Sequence, residues 1–311
     1  MLHRPLGHSG LDVSAIALGS WQTYERIPRE QGTAVLNQAR AEGIDFLEVA
    51  RYDDTTGKAP IPTGYSEVVF GEIFRACDYA RDEVTIAGKL WWEFWPQQNA
   101  AQELDASLER TGLDHLDYLY SDPPPAELAL EEVVAQVGAL IAQGRVRAWG
   151  IVNWPAERLA AAGRIAREQG VPTPSAAQLP YSLVQRDWVE GQDMVDALEA
   201  CQASVVASYT LAGGILTGKY AAGETGRMAG ELDEERWHSA REAAAALREY
   251  AAELGATPAQ LALAFALANP DTATVLCGAT RPEQVADNAA AVRLLGRLDA
   301  HQIARLRGVG A

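Results

Sequence analysis

A lone lysine set against an aromatic run is the sharpest chemical feature of this 311-residue chain. In VTIAGKLWWEFWP, residues 84–96, Lys89 follows a short apolar run and precedes Trp91, Trp92, Phe94 and Trp95. Positions 84–87 have the length and composition of a strand buried on both faces. Lys89 would then stand at that strand's C-terminal end, held among the four rings and poorly hydrated. An ammonium so placed needs a carboxylate partner or a lowered pKa. In a β/α barrel it would also stand on the active-site face. The alternative is a surface or interface lysine whose methylene stem covers an indole.

The elements that must position this lysine follow one repeated theme: a short apolar strand, a polar turn and an amphipathic helix of about 12–18 residues. Strands are expected at 15–18, 46–49, 84–87, 116–119, 148–152, 176–178, 205–207 and 274–276. Helices are expected between them, at 30–42, 66–77, 99–110, 130–143, 156–168, 194–201 and 240–254. Eight strands with intervening helices make a closed parallel barrel, an α/β (β/α)8 TIM barrel. A doubly wound open sheet competes, but no GxGxxG follows the first strand. Residues 2–17 form two short strands about a turn at His8, Ser9 and Gly10, with Leu11, Val13, Ala15 and Ala17 alternating on one face. That N-terminal β-hairpin would act as a lid. Long loops are expected at 53–64, rich in Pro and Gly, and at 221–233. No linker divides the chain, so one domain over 1–311 is expected.

Composition narrows the function classes. Hydrophobic residues make up 48% and charged residues 22%, which provides a sizeable core. A formal net charge of -16 opposes a nucleic-acid partner, since no clustered basic face offsets it. Cys77, Cys201 and Cys277 lie far apart without metal-ligand spacing, so neither a disulfide framework nor a metal site is expected. The N-terminus lacks an uninterrupted apolar segment, and nowhere do 18 apolar residues run together. A cytoplasmic protein with no membrane partner is the expectation; the oligomeric state is left open.

Several segments resemble the aldo-keto reductase superfamily, and in order they span nearly the whole chain: RPLGHSGLDVSAIALGSW, GIDFLEVARY, GYSEVVFGEIF, AGKLWW, WGIVNW, AAQLPYSLVQRD, SYTLAGGILTGKY and VLCGATRPEQVADN. The resemblance implies a β/α barrel that binds a nicotinamide dinucleotide, usually NADPH, across its C-terminal face. Trp21 stands where the family meets its cofactor, and Asn153 and Gln178 stand at the positions that bind the carboxamide. Leu211, Gly213 and Lys219 match the pyrophosphate loop. In GATRPEQVADN, Gly278 permits close backbone approach. Thr280 and Arg281 can hold a 2′-phosphate, which favours NADP over NAD, and Gln284 and Asn288 offer amide edges to adenine. The ring that stacks on nicotinamide is displaced: the family order Tyr-Ser-Pro is here Ser208, Tyr209, Thr210, which leaves Tyr209 as the stacking residue.

The resemblance also implies catalysis by an Asp, Tyr, Lys and His set in which tyrosine gives a proton, lysine lowers its pKa, aspartate pairs the lysine and histidine orients the substrate. Lys89 matches. Glu48 stands at the aspartate, one methylene longer. Tyr52 lies four residues after Glu48 where the family has five, so an ungapped count puts Asp53 at the tyrosine. Asp122 stands at the histidine, a position that none of the five histidines occupies. A protonated Asp122 in an apolar pocket could donate a hydrogen bond. Family members that reduce a conjugated C=C bond also carry an acid at this position, so the resemblance extends to an enone or iminium substrate; Asp122 could equally cap the turn before Pro123. Two functions follow from the resemblance: an NADP-dependent reductase of a carbonyl, enone or imine in a small molecule, or a non-reducing member. The latter would be a nucleotide-binding regulatory subunit like the potassium-channel β subunits, or a lyase or isomerase.

Overall fold

The computed structural model describes residues 1–54, 57–220 and 234–310. It opens with an antiparallel hairpin, β1 (His3–Pro5) and β2 (Asp12–Ser14). Eight parallel strands follow: β3 (Ile16–Gly19), β4 (Phe46–Glu48), β5 (Thr85–Leu90), β6 (Tyr118–Ser121), β7 (Ala148–Val152), β8 (Ala176–Pro180), β9 (Ser204–Ser208) and β10 (Thr272–Cys277). They pair in sequence order, and β10 bonds back to β3, closing the barrel. The (β/α)8 TIM barrel with an N-terminal hairpin expected from the sequence is the fold observed.

Around it run α1 (Arg29–Ala41), α2 (Tyr65–Ala76), α3 (Ala100–Thr111), α4 (Leu130–Ala142), α5 (Ala156–Gln169), the single turn α6 (Asp187–Glu190), α7 (Gln192–Cys201), α8 (His238–Leu254), α9 (Pro258–Leu267), α10 (Pro282–Leu295) and α11 (Ala300–Gly308). None of the helices described is long and apolar enough to cross a membrane. Three differences from the sequence expectation have physical causes. First, β5 continues to Leu90, so Lys89 is inside the strand and not just past it. Second, β6 begins at Tyr118, two residues later than expected; Leu116 packs instead over the outer face of Gly88. Third, α9 (PAQLALAFAL) is buried on nearly every side and has no polar face for periodicity to detect. The expected loop at 221–233 lies outside the described residues.

Strand alternation decides what points into the barrel. Phe46, Ala87, Tyr118, Tyr120, Ala176 and Val206 fill the lumen, and Leu6, Leu11 and Val13 of the hairpin pack against them from below. The hairpin therefore closes the N-terminal mouth. Asp45 fastens it there, accepting from the Ser14 amide at 2.8 Å while its own amide donates to Ser14 Oγ at 3.0 Å. Two residues above Phe46 comes Glu48, two above Ala87 comes Lys89, two above Tyr120 comes Asp122, and two above Ala176 comes Gln178. One alternation thus aims four polar side chains at the upper lumen.

Helix spacing around the barrel tolerates little change. Gly71 of α2 lies so close to α3 that a Cβ there would stand 1.9 Å from the Thr111 carbonyl oxygen. Gly71→Ala must push the two helices apart. It is expected to lower stability by about 1–3 kcal/mol, read as a lower urea midpoint at unchanged slope.

Candidate active site

At the upper end of the lumen three polar groups contact one another. Lys89 Nζ lies 2.9 Å from Glu48 Oε1 and donates to Tyr52 Oη at 2.7 Å; Tyr52 Oη in turn donates to Glu48 Oε1 at 2.8 Å. Glu48 is 2% exposed and Lys89 7%. Strand register explains the meeting, since β4 and β5 are adjacent and Glu48 is level with Ala87, one inward position below Lys89. Tyr52 arrives from the turn after β4. Although only four residues separate it from Glu48, its hydroxyl reaches the ammonium. Asp53, the residue the ungapped count selected, is exposed at the turn, 3.8 Å from Arg51. The lowering of the tyrosine pKa implied by the resemblance does not dominate here. Burial first, then the Glu48 carboxylate, raise the Tyr52 phenol well above its ordinary value. It holds its proton at neutral pH.

The expected cage of four rings around Lys89 is reduced to one. Trp91 lies 5.9 Å from Nζ and meets the Tyr52 ring edge-on at 5.6 Å. Trp92 turns away into the core, where its indole donates to Ser121 Oγ at 2.8 Å, and Phe94 is exposed at the rim. Trp95 packs partly buried against the main core. The split arises because Trp92 adopts a positive φ of 61°. Glu103 of α3 holds that turn, accepting from the Trp91 and Trp92 amides at 2.6 and 3.1 Å.

Arg51, absent from the sequence reading, is a second brace. It is 5% exposed, donates to Thr63 Oγ1 at 2.6 Å and to Glu93, and lies 5.9 Å from the Trp91 ring. One buried guanidinium therefore joins the loop after β4 to the loop after β5, with Tyr52 and Trp91 between them. Neither brace was legible, because Glu103 and Arg51 find their partners only after the strands are side by side.

Asp122 follows β6. Its amide donates to Leu90 O at 2.8 Å, and the pairing of Leu90 with Ser121 sets it beside Trp91. Its carboxyl is half-buried and makes no hydrogen bond or ion pair within 4 Å among the described residues. Burial raises its pKa to about 6, partly offset by Lys89.

These groups open on a cavity of about 1250 Å³, and every one of the sixteen residues singled out from the sequence lines it. Trp21 tilts against Tyr209 with ring centroids 6.4 Å apart, so the displaced tyrosine does form a wall. Asn153, at a φ of 55°, donates its amide to Gln178 O at 3.0 Å. Gln178 is 5% exposed, and its side-chain oxygen has no partner among the described residues. The turn from Leu211 carries Gly213 and Gly214 at φ of 67° and 92°, and the Lys219 ammonium lies against Gly214. Gly278, Thr280, Arg281 and Asn288 gather at the start of α10. One expectation needs correction: the Gln284 side-chain oxygen is not free for adenine. It caps α10, accepting from the Thr280 and Arg281 amides at 2.8 and 3.2 Å. Thr210, given no role from the sequence, lines the cavity with a buried hydroxyl that has no partner among the described residues.

A β/α barrel with a lysine, tyrosine and carboxylate at its C-terminal mouth, beside an elongated cavity walled by amides, glycines and cations, defines the class. The aldo/keto reductase family model matches residues 15–311, and the chain belongs to that family. Members generally bind NAD(P)H. The chain is similar to a protein named a putative voltage-gated potassium channel subunit beta from Schizosaccharomyces pombe, with 31% identity over 315 residues covering 95% of this chain and 89% of that one. A probable voltage-gated potassium channel subunit beta from Oryza sativa subsp. japonica is 26% identical over 325 residues, covering 99% and 96%.

The Asp122 carboxyl gives this site a pH signature. It binds its proton more tightly folded, near 6, than at its ordinary value of 3.8. Its contribution to stability is therefore full below the lower value and is lost as pH rises through the higher one. Asp122→Asn cannot ionise. Its urea midpoint is expected to gain on the wild type as pH rises from about 4.5 to about 7, and a constant difference would contradict this account.

Proposed function

We propose that this protein is an NADP-dependent oxidoreductase that reduces the carbonyl of a small organic molecule, or a related C=N or conjugated C=C bond. The observation that carries the reading is the contact of Tyr52 Oη with Lys89 Nζ at 2.7 Å in the cavity wall. A bound nicotinamide dinucleotide would supply the hydride. The unpartnered Gln178 oxygen and Asn153 fit its carboxamide, the glycines and Lys219 its pyrophosphate, and Thr280 and Arg281 a 2′-phosphate, while Asn288 remains for adenine.

The proton comes from Tyr52. In the resting site its hydrogen points at Glu48; rotation about the C–O bond turns it towards a substrate oxygen while Lys89 keeps its own hydrogen bond. As the proton leaves, the ammonium faces the phenolate that forms, and this lowers the barrier. Glu48 balances the ammonium between turnovers. Asp122, across the mouth of the site, is the remaining acid. Its pKa near 6 leaves it ionised at neutral pH and able to donate only in mild acid.

The reading extends to a cytoplasmic setting, a small-molecule rather than nucleic-acid partner and a single domain over 1–311. Supporting it are the net charge of -16, three free cysteines and the closure of the barrel by its last strand. A second reading has one observation in its favour, the names of the relatives: a nucleotide-binding regulatory subunit that holds the dinucleotide without turning it over.

NADPH consumption over a panel of aldehydes, enones and imines, alongside cofactor fluorescence titration, separates the two readings. Tyr52→Phe is expected to lower kcat by roughly 100-fold or more while NADPH still binds. Binding without turnover on any substrate would favour the regulatory reading. Arg281→Ala is expected to weaken NADPH more than NADH; equal losses would remove the 2′-phosphate contact.

A further inference from the structure

At the catalytic end of the cavity one carboxylate has no contacting partner among the described residues. Glu48 and Lys89 cancel each other across 2.9 Å. Asp122 then remains, half-buried, with neither a cation within 4 Å nor a hydrogen-bond donor on its carboxyl among the described residues. A desolvated carboxylate without a partner is unfavourable unless a ligand completes it. None of the cavity's other cations contacts it: Lys219 lies on the Gly214 turn, Arg248 on α8 and Arg281 at the start of α10, and Arg26 is already partnered. Asp287 differs from Asp122: its two oxygens accept from Thr257 and Gln260 at 3.0 and 2.7 Å.

Beside Asp122 stands an aromatic wall. Trp91 lies at the adjacent strand end, its ring edge-on to Tyr52, and Trp21, 39% exposed, lines the same cavity. Arg51 and Lys89 each already lie 5.9 Å from the Trp91 ring, so this indole is one that faces cations. A carboxylate beside such a ring is the combination that holds an organic ammonium, through charge on one side and the ring quadrupole on the other.

Resting on the reductase reading above, we propose that the substrate is a carbonyl compound bearing a cationic nitrogen, an ammonium or quaternary ammonium, that docks on Asp122 and Trp91 with its carbonyl towards Tyr52. The cation is a spectator. A bound reduced dinucleotide would supply the hydride to the carbonyl carbon and Tyr52 the proton to its oxygen, with no change in any bond to nitrogen.

The test compares 4-(trimethylammonio)benzaldehyde with its neutral isostere 4-tert-butylbenzaldehyde and with 4-carboxybenzaldehyde, in wild type, Asp122→Asn and Asp122→Glu. The wild-type ratio of kcat/KM for cation over neutral is expected to fall roughly tenfold in Asp122→Asn and to survive largely in Asp122→Glu. Taking ratios across variants removes the intrinsic reactivity of each aldehyde. Separately, benzyltrimethylammonium is titrated into the cofactor-free protein by tryptophan fluorescence, with phenylacetate as the anionic control. Its Kd is expected to rise roughly tenfold in Asp122→Asn. An unchanged ratio and an unchanged Kd in that variant overturn the proposal, as does tighter wild-type binding of phenylacetate than of the cation. Asp122-dependent binding of benzyltrimethylammonium without turnover of any aldehyde supports the cation site and removes the reductase reading. Turnover with no dependence on Asp122 does the reverse.

Discussion

An ammonium inside a barrel lumen is the constraint to which the rest of this site answers. Removing Lys89 from water is strongly unfavourable unless a counter-charge is held at contact distance. Glu48 supplies it from the adjacent strand, where the β4–β5 register sets it one inward position below Lys89 and within 2.9 Å of the ammonium. With its charge matched, the ammonium has a hydrogen-bonding direction left for Tyr52. Breaking the pair would strand a charge among Ala87, Tyr120 and Phe46, so strand pairing, lumen packing and the polar cluster depend on each other.

Tyr52 and Trp91 are on loops, and loops alone would not hold them in fixed contact with Lys89. Two buried charged side chains do so instead. Glu103 takes the amides of a strained turn that sends Trp91 and Trp92 in opposite directions, and Arg51 ties the two loops together behind them. Four residues separate Glu48 from Tyr52, and one Glu48 carboxylate oxygen reaches both the ammonium and the phenol.

The cavity divides chemically. Towards the start of α10 and the Gly213–Gly214 turn it presents cations, glycines and amides suited to phosphates and a nucleotide. Towards Tyr52 it presents aromatic faces and carboxylates. Gln178, with an unpartnered oxygen, stands between the two, where the lumen alternation leaves its amide pointing up from β8.

The chain's pattern determined the barrel, the hairpin beneath it and which residues face one cavity, because strand periodicity and short motifs are local and survive any detail of packing. It also marked Lys89 as a buried cation in need of a partner. It left α9 unmarked, since uniform burial erases periodicity, and it misplaced the rings around Lys89 and the Gln284 oxygen, which depend on a turn's φ and a helix cap. The choice of Tyr52 over Asp53, the braces at Arg51 and Glu103, and the lack of a partner for Asp122 were decided only by tertiary structure. Each turns on distances of a few ångströms between segments tens of residues apart, set by how the loops cross the barrel mouth and not by anything within either segment.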